Sequence, residues 1–222
     1  MSDKLGPWEL RELGIVIAIL NNDPSILNPD FLVRNNIVDA DWKQKENPIC
    51  IGPLSKVVYD NGITITSEQH AVSFTNTQVD KCDGINKLKD VATKYFQQIN
   101  NLSCIAVGIN PVGHIPFDEK NELRGFVERN LIALKEWPHE LEGIAIYYRF
   151  NIPGATLNLR IEEGVLKDSK KPVLIFGGNF HHVVRPEGQL TTSQNVLEII
   201  RECPNDIDTF RKYVQSFIPE AQ

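Results

Sequence analysis

The segment Lys56-Val57-Val58-Tyr59-Asp60-Asn61-Gly62-Ile63-Thr64-Ile65-Thr66 sets Asn-Gly between two β-rich runs. A two-residue type I′ turn needs positive φ at both central positions, and Asn and Gly adopt it at little cost. The pattern therefore predicts a tight hairpin with Val58 opposite Ile65. Val72 and Phe74 then alternate with Ala71, Ser73 and Thr75, which adds a third strand. A meander of this kind commits the chain to an antiparallel sheet, because consecutive strands joined by short turns must run in opposite directions.

Such a sheet needs a cover for its apolar face. Ile85, Leu88, Val91, Ala92, Tyr95, Phe96 and Ile99 recur at helical spacing and predict an amphipathic helix over the meander. Ile105, Val107 and Ile109 alternate into another strand, closed by Asn110-Pro111 and Gly113. Asp118 predicts the cap of a second helix, with Leu123, Phe126, Val127, Leu131 and Leu134 inward and Pro138 at its end. Ile144, Ile146, Tyr148 and Phe150 alternate next, then Leu157, Leu159 and Ile161 against Asn158, Arg160 and Glu162. Val173 to Val184 predicts a further strand, in which Gly177-Gly178 marks a bulge or a close approach. Thr191 and Gln194 have capping-box spacing ahead of Val196, Leu197, Ile199 and Ile200. Pro204 should interrupt that helix, and Asp206 should cap a last one carrying Ile207, Phe210, Tyr213, Val214 and Phe217.

The expected fold is α+β: a mainly antiparallel sheet of meanders covered by three or four helices, in a single domain over residues 1–222. Two blocks, about 54–99 and 143–217, share the order strand, strand, strand, helix. They predict two βββα-like halves, without residue identity between them. Upstream, Ile15, Ile17 and Ile19 alternate with Val16, Ala18 and Leu20 in a strand apolar on both faces. Residues 25–53 show no sustained period and read as an irregular crossing segment pinned by Phe31, Leu32, Ile37 and Trp42. A loop that long is either functional or conceals an element.

With 222 residues, 41% of them hydrophobic, the chain needs neither disulfides nor metal to hold a core. A net charge of −6 gives no general attraction to phosphate backbones or anionic lipid heads. Lys167, Lys170 and Lys171, with Asp168 among them, read as a solvated loop. The apolar run Gly14 to Leu20 is too short for a membrane span and lacks a basic leader. Cys50, Cys82, Cys104 and Cys203 are far apart, so reduced thiols in a cytoplasmic protein are expected.

Chemistry is sparse. Neighbouring residues on a strand point to opposite faces, so His181 and His182 should be one half-buried and one exposed histidine rather than two ligands of one metal. Gly108-Ile109-Asn110-Pro111-Val112-Gly113-His114 has neither the glycine order nor the following Lys-Ser or Lys-Thr of a phosphate loop. Glu162-Glu163 reads as a solvated strand end. No nucleophile motif is present, and no cofactor or metal is expected.

Asn28-Pro29-Asp30-Phe31-Leu32 with Asn36-Ile37-Val38, Trp42 and Asp60-Asn61-Gly62-Ile63 resembles a group of uncharacterised small bacterial proteins over about residues 14–75. Gly108 to Ile115 after three strands and a helix is similar, more loosely, to a second such family. The resemblance implies an accessory component of a multi-gene prokaryotic system, defence loci included, and supplies no catalytic residue.

The leading expectation is a non-catalytic interaction protein or accessory subunit, with Phe31, Leu32 and Trp42 as anchors for a protein partner. The alternative is a small-molecule-binding protein or enzyme in which Asn110, His114, Tyr148, Arg160 and His182 converge on a pocket between sheet and helices. Nucleic-acid binding is the least favoured reading.

Overall fold

A computed structural model describes residues 7–81, 83–99, 103–132, 142–184 and 192–218. The first strand, β1 (Glu9–Ile19), is followed by a short helix, α1 (Pro29–Arg34), and by β2 (Ile49–Ile51), β3 (Leu54–Val58), β4 (Ile63–Glu68), β5 (Ala71–Asn76) and α2 (Gly84–Gln98). The order then resumes with β6 (Cys104–Pro116), α3 (Lys120–Asn130), β7 (Ala145–Ile152), β8 (Ala155–Val165), β9 (Pro172–Val183) and α4 (Thr192–Ser216). All nine strands form one sheet in the order β2-β3-β4-β5-β1-β6-β9-β8-β7, and every pairing is antiparallel. The protein is thus α+β with an antiparallel sheet. Its connectivity runs strand, helix, meander, helix, and then runs so again, with β1 and β6 paired at the seam; the first meander has a short extra strand, β2, ahead of the three that the halves share. The repeated unit takes in one strand and one helix more than the meander blocks 54–99 and 143–217 contain.

The helices lie on one face. Leu13, Ile15, Ile17 and Ile19 of β1, Val72 and Phe74 of β5, Val107 and Ile109 of β6, Leu157, Leu159 and Ile161 of β8, and Phe176 and Phe180 of β9 are buried beneath them. Phe74 meets Tyr95 of α2 edge to face at 5.3 Å. Gly178 of β9 allows α4 to come close, since a Cβ there would lie 2.9 Å from the Phe210 ring. Its role is close approach; the register with β6 runs on without a bulge at Phe176 and Gly177.

Several local expectations are corrected. The hairpin pairs Val57 with Ile65 and Val58 with Thr64. Tyr59 N–H donates to Ile63 O at 2.9 Å around Asp60-Asn61-Gly62, and of Asn61 and Gly62 only Gly62 has positive φ, at +88°. Gly62 thus closes a three-residue loop, and the extra residue moves the partner of Ile65 from Val58 to Val57.

The segment 25–53 does conceal elements. Asn28 Oδ1 accepts from Phe31 N–H at 2.8 Å and caps α1, whose first residue is Pro29. β6 continues through Asn110-Pro111 and Gly113 to Pro116. α3 starts at Lys120, with Glu119 rather than Asp118 at its N-cap.

α4 runs unbroken through Pro204. Its buried residues Val196, Ile200, Cys203, Ile207, Phe210 and Val214 form a single stripe on either side of the proline. Packing of that stripe on the sheet outweighs the hydrogen bond that proline removes. Thr191, Leu134 and Pro138 lie outside the described residues.

Candidate interaction surface

Side chains alternate across a strand, so each apolar row beneath the helices has a counterpart on the other face. The pairings define that face as straight rows. One row crosses eight strands: Val58, Thr64, Thr75, Gly14, Asn110, Asn179, Asn158 and Arg149. The next holds Lys56, Thr66, Ser73, Val16, Gly108, His181, Thr156 and Asn151. Glu12, Val112, Gly177, Arg160 and Tyr147 flank the first row on its other side. Most of these residues are half-buried or exposed, and among the described residues no helix packs on them.

An amide ladder occupies the second half of the first row. Asn179 Nδ2 donates to Asn110 Oδ1 at 2.6 Å, Asn158 Nδ2 donates to Asn179 Oδ1 at 3.3 Å, and Arg149 Nε donates to Asn158 Oδ1 at 3.0 Å. The ladder starts where the backbone falters. The pairing of β6 with β9 passes from Ile109–Phe180 to Val112–Gly177, skipping Asn110 and Pro111. Proline has no N–H to offer and is rare inside a sheet. The Asn110–Asn179 side-chain bond links the strands at that gap.

Glycines make the ladder accessible. A Cβ on Gly14 would lie 3.4 Å from Asn110 Cβ, and one on Gly108 would lie 3.3 Å from Asn179 Nδ2. Gly177 has open space where a side chain would be. The amides therefore lie on a floor of small residues, to which another molecule's backbone can approach closely. Leu20, Ile105 and Val183, at 53, 47 and 49% exposure, form an apolar margin near the seam of the two halves.

The sequence-derived site residues divide between the faces. Leu32 is fully buried; Phe31 packs on Tyr95 of α2, and Trp42 on Tyr59, both edge to face. These three side chains are engaged with the chain's own core. Asn110 and Arg160 lie on the helix-free face, whereas Tyr148 and His182 lie beneath the helices. His114 is buried opposite Glu9, near the end of β6, with no partner for Nε2. Burial, with Arg11 nearby, holds its pKa below the usual value against the pull of Glu9. The five do not converge on one pocket.

Sequence reasoning missed the acid beside His182. Asp206 Oδ2 lies 2.8 Å from His182 Nε2, with both side chains largely buried, so α4 is tied to β9 by a polar contact from a distant part of the chain. One turn earlier, burial pushes the Cys203 thiol up to about 12, and Cys104 is raised to about 11 for the same reason. Both thiols stay protonated at neutral pH, which denies them the thiolate that nucleophilic chemistry needs. Among the described residues there is no group of three or more metal-ligating side chains, and no helix is long and apolar enough to cross a membrane.

Against known proteins, the sequence matches no family model and no curated protein.

Proposed function

We propose that this protein is a non-catalytic interaction module, an accessory subunit that holds a protein partner on the helix-free face of its sheet. The observation that carries the reading is the surface itself: hydrogen-bonding rows and a glycine floor spanning both halves, with no described element covering them. Eight strands at about 4.8 Å, read over about five residues of 3.3 Å each, span roughly 630 Å². That is close to the ~800 Å² per partner of a standard stable interface.

Charge selects the class of partner. Lys56, Arg149 and Arg160 on this face are balanced by Glu12, Glu68 and Glu162, and the chain as a whole carries −6. A phosphate backbone would find no cationic track here. Another polypeptide finds donors and acceptors in rows, beside an apolar margin at Leu20, Ile105 and Val183. An accessory role of this kind agrees with what the resemblance to small bacterial proteins implies.

The test is site-specific photocrosslinking in the native host. A crosslinker at Ser73 or Thr156 should give one discrete protein adduct, lost on Gly108→Arg, while a crosslinker at Lys87 on α2 gives none. An adduct from Lys87 alone would refute the reading. So would a saturable thermal shift with a common metabolite that Gly108→Arg leaves intact.

A further inference from the structure

The two edges of the sheet are unlike. β2 is three residues long, a brevity that itself limits edge-to-edge pairing. β7 is eight residues long, and among the described residues its outer edge is unpaired. Apart from the charge of Arg149, it has none of the usual guards. Ala145-Ile146-Tyr147-Tyr148-Arg149-Phe150-Asn151-Ile152 contains no proline and no lysine, and its pairing with β8 runs without a bulge. Its inward row is only partly buried. Ile146, Tyr148, Phe150 and Ile152 stand beside Tyr213 and Phe217 of α4, with Phe150–Tyr213 and Tyr148–Phe217 ring centroids 4.6 and 5.5 Å apart. An aromatic shelf thus adjoins a row of backbone donors and acceptors that no strand among the described residues pairs.

We infer that β7 pairs antiparallel with β7 of a second copy, extending the sheet through a two-fold axis at Tyr148. The register follows from the side chains. With Tyr148 opposite Tyr148 of the second copy, Ile146 meets Phe150 on the helix side, and Tyr147 meets Arg149 on the other. The chain already makes an arginine–tyrosine contact of that kind internally, with Arg160 5.5 Å from the centre of the Tyr147 ring. Moving the axis one residue, to Arg149, keeps the faces aligned by side but sets two guanidinium groups directly opposite each other. The strand is therefore self-complementary in the Tyr148 register and not in the Arg149 one, and self-complementarity is what a two-fold contact demands. This interface is at the sheet's edge and meets the helix-free face only along β7 itself, at Tyr147, Arg149 and Asn151, leaving Gly108 outside it.

The experiment uses the full chain in light scattering and sedimentation at micromolar concentration. The expected mass is twice the 25.1 kDa of one chain. Tyr148→Lys should halve it with the circular dichroism spectrum unchanged, while Gly108→Arg should leave it doubled. In a Cys50→Ser background, Tyr148→Cys should give a disulfide-linked dimer on mild oxidation, because residues opposite each other in an antiparallel pair lie within bridging distance. Arg149→Cys should crosslink far less. A monomer at working concentration, a dimer indifferent to Tyr148→Lys, or crosslinking as good from residue 149 as from 148 would overturn the proposal.

Discussion

Among the described residues, the first half of the molecule closes its outer flank more fully than the second, although both lead from a strand through a helix into a meander and a covering helix. In the first, the segment between β1 and β3 folds back under the meander. Leu27, Leu32, Ile37, Val38 and Tyr59 are all at most 3% exposed. In the second, the corresponding shelf of Ile146, Tyr148, Phe150 and Ile152 is only partly buried. The sheet and its covering helix follow from connectivity and apolar period, which the halves share. In the first half the seal on the flank follows from the crossing segment, which supplies Leu27, Leu32, Ile37 and Val38 to the core. Among the described residues, the difference leaves the flanking apolar row packed in one half and partly exposed in the other.

The comparison breaks first at core positions. Leu32→Ala should destabilise the protein by about 2–5 kcal/mol, the range for emptying a filled aliphatic site. Tyr148→Ala should cost less than half of that in the monomer. Equal shifts of the urea midpoint at unchanged slope would mean that the flanks are equally packed.

The covering helices differ next. Pro204 lies inside α4, whereas α2 has no proline. Pro204→Ala restores an N–H donor and should raise stability by up to about 3 kcal/mol, seen as a higher Tm. A fall would show that the proline ring's own packing counts for more.

On the helix-free face, Asn179→Ala removes two side-chain bonds and should cost about 1 kcal/mol, with faster amide exchange in β6 and β9. Thr75→Ala, in the same row of the first half, should be near neutral.

The smallest effect concerns Glu12, whose carboxyl is held above its usual pKa by burial. A folded-state pKa above the unfolded one makes this group's contribution to stability most favourable at acidic pH and lost as pH rises through the raised value. Glu12→Gln should therefore stabilise at pH 7 and lose its advantage in acid. Melting curves across pH check the sign.

The sequence by itself determined the strands, the helical stripes and the α+β class, because residues two apart or three to four apart must share a face whatever lies beyond them. The third-strand alternation of Val72 and Phe74 and the α2 stripe from Leu88 to Phe96 are of this local kind. It misplaced what depends on distant partners. Pro204 and Pro111 read as breaks, yet burial of the α4 stripe carries the helix past one, and β1 pairing with the Asn110–Asn179 contact carries β6 past the other. The three asparagines of the ladder, at 110, 158 and 179, come from three strands, and Asp206 reaches His182 from a helix. No period in the chain brings them together, since strand order is set by which sheet edges meet during packing. Only the tertiary structure could decide that Phe31, Leu32 and Trp42 look inward while a row of amides looks out.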